Sequence, residues 1–259
     1  MDHLLRLVVG IVMCCVVQTA WACPLLVVYS DQASPPYYLG DGETIPPNPG
    51  IAVELVNQAA AKMGCKVEWK RLPGRRALRE LESGTAQAML LLSYTPERAA
   101  YAAYPMQGDA PDPSYSLATL SYSVYVKAGS SFKWDNKQFT PAQGLVGVNS
   151  GYSVADEVRK LGSTVEEAPS TANNLQKLLM GRISAYVGQD LQVDLAIEDK
   201  RITGVQKMPM PFSSKDYYLP FSKQFFDKSP ASVHQLWKYL AEARKTHGKA
   251  LVKKYLDLY

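Results

Sequence analysis

The apolar positions change period along the chain. Leu25 to Ser30 is a short apolar run of strand length. Ile51, Leu55, Val56, Ala59, Ala60 and Met63 then recur at helical spacing, and Gly64 stands where a helix ends on a left-handed residue. Cys65 to Leu72 carries the β-branched and aromatic residues of a strand, and Pro73-Gly74 marks a turn. Arg75 to Glu82 predicts a short helix with Ala77, Leu78 and Leu81 inward and Gly84 just past its end. Ala86 to Leu92 is continuously apolar, the pattern of a strand covered on both faces.

The same alternation resumes later. Leu145 to Val148 predicts a buried strand, and a helix follows from about Val154 to Leu161. Asn173 to Met180 is a helix closed by Gly181, Ile183 to Val187 a strand, and Leu191 to Asp199 a helix. Pro230 to Thr246 predicts a longer helix with Val233, Leu236, Trp237 and Leu240 on one face, and Lys249 to Tyr255 a last one. Strands alternating with helices predict an α/β fold whose sheets are mainly parallel and flanked by helices. Two stretches break the rhythm. Gln107 to Lys127 holds Pro111 and Pro113 ahead of the alternating Ser121–Val126, and Met208-Pro209-Met210-Pro211 precedes Tyr217-Tyr218-Leu219. Both read as crossings between two lobes.

The first residues read as an address. Arg6 gives a basic start, Leu7 to Val17 runs eleven residues without a charge, and Ala20-Trp21-Ala22 is a small-x-small cleavage site. The run is too short to span a bilayer. The expectation is a secreted, periplasmic chain cleaved after Ala22, with no membrane span in its mature part. Lipid attachment at Cys23 is the alternative. Cys14 and Cys15 leave with the signal, so Cys23 and Cys65 remain as an even pair in an oxidising compartment. If their strands are adjacent and parallel, the two starts lie side by side and a bridge fits. Two separate thiols are the alternative.

Composition narrows the function classes. At 259 residues, 47% hydrophobic and 20% charged, the chain can bury a core. A net charge of +4 without a dense Lys/Arg stripe argues against a nucleic-acid partner. Three histidines and two mature cysteines fill no metal site, and no cofactor is expected. His234 and His247 lie in the C-terminal helices without a catalytic partner, and Glu166-Glu167 reads as a solvated turn or strand edge. An enzyme is therefore not expected.

Six ordered motifs point to a family. They are Pro35-Pro36-Tyr37, Gly50-Ile51-Ala52-Val53-Glu54-Leu55, and Arg76-Ala77-Leu78 before Leu81-Glu82-Ser83-Gly84. Thr95-Pro96-Glu97-Arg98, Val146 to Gly151 and Gly181 to Tyr186 complete the series. From Leu25 to Tyr255 the chain resembles the extracellular solute-binding proteins of amino-acid-type ABC transporters, the periplasmic binding protein type 2 or Venus flytrap fold. The resemblance implies a monomer of two lobes, residues 23–120 with 212–259 and residues 121–211, that close over a small-molecule solute. It implies an ABC permease as partner. A sensor partner or a cleft enzyme such as a dehydratase are the alternatives.

The resemblance also implies the site. Arg98 would clamp a carboxylate with its guanidinium fork. Ser150, Gly151, Tyr152 and Ser153 would offer a helix start to the same anion from the second lobe. Tyr37 would cover the ligand, with Tyr38 packing on the lobe surface. Ser93 lies at the end of the apolar run, and Arg76 adds charge nearby. Either Gln189 or Asp190 would face the cleft. Tyr152 replaces a small hydroxyl residue of the family, and Leu90, Leu91 and Leu92 stand where small hydroxyl residues are common. These departures suggest a ligand more anionic or more apolar than a standard amino acid.

Overall fold

The computed structural model describes residues 23–258, and the expected signal segment, residues 1–22, lies outside them. The chain runs β1 (Cys23–Ser30), α1 (Ile51–Lys62), β2 (Cys65–Leu72), α2 (Gly74–Glu82), β3 (Ala88–Met89), β4 (Leu92–Ser93), α3 (Pro96–Ala99), β5 (Ala102–Ala103), β6 (Met106–Gln107), β7 (Ala110–Pro111) and β8 (Ala118–Lys127). It continues with β9 (Lys133–Trp134), β10 (Phe139–Thr140), β11 (Leu145–Asn149), α4 (Val154–Lys160), β12 (Thr164–Ala168), α5 (Thr171–Leu179), β13 (Ala185–Gln189) and α6 (Asp190–Asp199). The last elements are β14 (Val205–Tyr218), β15 (Phe221–Ser222), α7 (Lys223–Lys228) and α8 (Pro230–Leu256).

Two sheets carry the two lobes. The first is ordered β2-β1-β3-β15-β5 and the second β12-β11-β13-β8-β14-β4. Strands joined through helices pair in parallel: β1 with β2 and β3, and β11 with β12 and β13. The strands β8, β14 and β15 join antiparallel, so each sheet is mixed. That differs from the mainly parallel expectation. Parallel pairing needs a crossover helix, and these strands are reached by reversals instead.

The register at the start of the first sheet places Cys23 beside Cys65. Their Cα atoms are 4.4 Å apart and the pair is bridged, as the adjacent-strand reading anticipated. Helix α1 buries Ile51, Leu55, Val56, Ala59 and Ala60. It packs against α8, where Val233, Leu236, Trp237 and Leu240 are buried. The two C-terminal helices expected from sequence are one, since a Cβ at Gly248 would meet Arg244 Cγ only at an ordinary 3.8 Å and a lone glycine merely weakens a helix. The Tyr255 hydroxyl at its far end accepts from the Gly50 N–H at 3.0 Å, tying α8 to the start of α1.

The chain leaves the first sheet along β8 and returns along β14, and these strands pair over most of their length. Register shifts fall between Lys207 and Pro211 and between Pro211 and Ser213. Pro209 and Pro211 have no N–H to give the ladder, so the shifts sit where donors are missing.

The apolar run Ala86–Leu92 is not one strand. Its first part is β3 in the first sheet and its end is β4 in the second. Between them Leu91 has φ 53°, in the left-handed region that a branched side chain rarely takes. The run is buried because it forms the seam between the lobes and one wall of the cleft.

Candidate functional site

Thr95 caps α3 as its sequence suggested: its hydroxyl accepts from the Arg98 N–H at 3.2 Å, with Pro96 at the first helical position. This single turn fixes Arg98, whose side chain is 7% exposed. Arg98 Nη1 donates to the Ser93 carbonyl and to Ser93 Oγ, both at 2.8 Å. Arg98 Nη2 reaches across the cleft to the Gly151 carbonyl at 2.9 Å. Among the described residues no carboxylate forms an ion pair with it.

Arg98 borders a cavity of about 40 Å³ between the lobes. That is room for a few water molecules, about 10–15 Å³ each, so a larger solute fits only with the walls moved apart. Its apolar wall is Leu78, Met89, Leu90, Leu91, Leu92 and Leu120, and its aromatic wall is Tyr38, Tyr152 and Tyr217. Ser30, Ser34, Ser93, Ser150, Ser153 and Gln189 supply neutral polar groups, and Gly151 lines it as well. Among the described residues no Asp or Glu lines the cavity.

Several contacts hold the lobes together around it. Ser93 Oγ lies 3.0 Å from Ser153 Oγ. Ser34 Oγ donates to Gln189 Oε1 at 3.1 Å, and Gln192 Nε2 donates to the Ala33 carbonyl at 2.5 Å. Arg75 pairs with Glu167 at 2.6 Å, and Arg159 of the second lobe pairs with the same carboxylate at 3.0 Å. Burial acts to raise the Glu167 pKa, but the Gly151 N–H and the two guanidiniums outweigh it and hold the carboxyl below its usual range. Glu167 does lie on an edge strand, as its sequence allowed, yet it is an inter-lobe partner rather than a solvated charge.

The structure brings Arg98, Ser93, Ser150, Gly151, Tyr152, Ser153 and Gln189 to one cavity. It leaves three candidates outside. Arg76 is exposed on α2, 3.7 Å from Glu80. Tyr37 is half-buried beside the core, while Tyr38 lines the cavity, the reverse of the expected order. Asp190 Oδ1 turns back to accept from the Leu191 N–H at 2.7 Å. Of the two alternatives, Gln189 lines the cavity and Asp190 does not.

The turn before α4 is not a row of free donors. The Ser150, Gly151 and Tyr152 N–H groups donate to the Ala168 carbonyl (2.8 Å), Glu167 Oε2 (3.1 Å) and the Asn149 carbonyl (3.1 Å). Ser153 makes no side-chain cap. Its hydroxyl instead accepts from Lys215 Nζ at 2.8 Å. Burial lowers the Lys215 pKa against the opposing pull of Glu157. Burial also pushes the Tyr152 hydroxyl up to about 12.

Sequence reasoning did not single out Lys215, Tyr217, Ser34 or Gln192. Tyr217 hydrogen-bonds to Tyr122 and accepts from Gln189 Nε2 at 3.1 Å, on the long crossing strand β14. The stretch Ser213–Asp216 is wholly polar and carries no alternating strand signal, so nothing in the local pattern marked Tyr217 as a cleft residue.

Two lobes on mixed sheets, joined by paired crossing strands and closed over one small cavity, define a cleft-type binding protein. Residues 26–257 match the bacterial extracellular solute-binding proteins, family 3, and the chain belongs to that family. Family and fold point to a binding protein rather than an enzyme. No curated protein matches the chain in sequence. A histidine kinase sensor domain with similarity to periplasmic binding proteins is 18% identical with a TM-score of 0.72, covering 91% of this chain and 96% of that one. An ancestral arginine-binding protein bound to arginine is 21% identical with a TM-score of 0.68, covering 90% and 97%. Holo ArgBP from T. maritima is 19% identical with a TM-score of 0.66, covering 90% and 96%. At these identities the likeness is one of fold. Among the described residues no helix is long and apolar enough to cross a membrane.

Proposed function

We propose that this protein captures a small carboxylate-bearing solute in the periplasm and hands it to an ABC-type permease. Arg98 carries this reading. A buried guanidinium with no carboxylate partner keeps a large desolvation cost that neutral carbonyls only partly offset, and an anionic ligand offsets it directly. Its fork suits a carboxylate, with two parallel charge-assisted bonds. The contacts from Ser93, Ser153 and Gln189 that meet across the cleft form only when the lobes close. A solute that strengthens that closed arrangement shifts the population toward it.

In this reading residues 23–120 with 212–259 form one lobe and residues 121–211 the other. The signal is removed after Ala22, and the protein acts as a monomer. Sensing through a membrane partner chain is the second reading, because the same fold serves as a histidine kinase sensor domain in one of the similar structures.

Native mass spectrometry of the exported protein tests the proposal. The expected mass begins at Cys23, with a small anionic molecule retained by the wild type and lost from Arg98→Ala. Retention of the same molecule by Arg98→Ala would remove Arg98 from the site. A lipidated mass would move the chain from soluble to anchored.

A further inference from the structure

Resting on Arg98 as the partner of an anion, we propose that the solute is a small monocarboxylate with an apolar body and no ammonium group, and that Gln189 sets this preference. An α-amino acid brings two opposite charges into the cleft. The cavity offers a cation in Arg98 and, among the described residues, no carboxylate.

Gln189 sits at the end of β13, 6% exposed, and its amide is fixed by partners on both sides. Oε1 accepts from Ser34 Oγ at 3.1 Å, and Nε2 donates to the Tyr217 and Tyr122 hydroxyls at 3.1 and 3.4 Å. Those hydroxyls supply no negative charge near neutral pH, because burial raises the pKa values of Tyr38, Tyr122 and Tyr217. Glu82, Glu97 and Asp156 line a separate open depression that shares Arg98, Gly151, Tyr152 and Ser153 with the cavity, and none of the three lines the cavity itself. Asp190, the first residue of α6, accepts from the Leu191 N–H, and Glu167 is held by Arg75, Arg159 and the Gly151 N–H. Asp31 lines an adjoining depression that shares Ser30, Ser150 and Tyr152 with the cavity.

The wall opposite is apolar. Leu90, Leu91 and Leu92 line it in succession, and this is possible because Leu91 adopts its left-handed φ of 53°. Three consecutive side chains on a regular strand would alternate between faces. The left-handed Leu91 lies where the run passes from the core that holds Leu90 to the one that holds Leu92, and all three border the cleft, giving it an apolar wall. An ammonium placed there loses its water without a counter-charge, whereas an alkyl or aryl group gains from the same burial.

Calorimetric titration with matched pairs tests this: 4-methyl-2-oxopentanoate against leucine, and phenylpyruvate against phenylalanine. Each pair differs at the carbon beside the carboxylate, where one carries a carbonyl and the other an ammonium. The expected result is an oxo acid bound at least about tenfold tighter than its amino acid, since burying an ammonium without a counter-charge costs far more than burying a carbonyl. Gln189→Glu supplies a carboxylate of the same shape and should shrink or reverse that ratio, with thermal melting confirming the fold. Equal or tighter binding of the amino acids, lost in Arg98→Ala, would overturn this proposal while leaving Arg98 as the anion partner. Loss of amino-acid binding in Asp31→Asn would overturn it by locating the missing counter-charge. Binding of either class undiminished in Arg98→Ala would overturn the anion-partner reading as well. No binding by either pair would overturn the proposal.

Discussion

Arg71 and Arg98 are both buried and neither pairs with a carboxylate among the described residues, yet their surroundings differ. Arg71, 2% exposed, spends its guanidinium on the carbonyls of Ser30, Leu39, Gly40 and Thr44. It staples a loop and does not line the cleft cavity. Arg98 faces the cleft and holds a carbonyl of the opposite lobe. A second residue in the same region carries a sharper steric demand. Gly50 has φ 115°, and a Cβ there would lie 2.4 Å from the Tyr37 carbonyl oxygen and 2.5 Å from Tyr38 Cα. Gly50→Ala is expected to cost about 2 kcal/mol or more and to displace Tyr38 from the cavity. Chemical denaturation checks the stability, and an unchanged midpoint would show that the loop yields freely. The turn that carries Arg98 was legible because Thr95 and Pro96 fix it locally, while the role expected of Arg98 came from the family resemblance. The choice between Tyr37 and Tyr38 was not, since an irregular loop has no period to assign faces. Gln189 and Asp190 straddle the change from strand to helix, where one side-chain period gives way to another.

At the level of elements, the bridge between β1 and β2 closes a separation of 42 residues. Chain entropy for such a loop corresponds to about 4 kcal/mol of stabilisation. Replacing both cysteines by serine should lower the unfolding free energy by roughly 2–4 kcal/mol. Denaturation of the wild type with and without reductant should reproduce that loss, and equal midpoints would show the bridge to be energetically idle. The β1–α1–β2 unit was readable because hydrophobic period, glycine stop and cysteine positions agreed. The segment from Ala86 to Leu92 was not, because an apolar run reports burial without saying which sheet covers it. Strand β14 was hidden by Pro209 and Pro211, which normally argue against a sheet interior and here coincide with its irregular pairing.

Across the whole molecule, Arg75 and Glu167 form a latch whose strength depends on protonation. The Glu167 pKa is depressed in the folded protein, so its stabilising contribution is present above the ordinary carboxylate value of about 4 and is lost as pH falls through the lower folded value. Arg159 and the Gly151 N–H belong to the same lobe as Glu167, so only the Arg75 share distinguishes closed from open. Arg75 is 59% exposed, so solvent screens the pair and the shift in the open–closed ratio should be no more than about fivefold. Glu167→Gln should open the lobes slightly at neutral pH and flatten the response to acid. Small-angle scattering checks both, and a radius insensitive to the substitution and to acid would exclude the latch.

The sheet order also constrains assembly. Strand β15, beginning at Phe221, lies between β3 and β5 in the first sheet, and α8 packs on α1. The second sheet takes its strands from residues 92–218. As the chain emerges amino-terminus first, every strand of the second sheet is therefore available before the first can gain its inner strand. The first sheet, whose bridged β1–β2 edge is made early, is completed only when nearly the entire polypeptide has arrived.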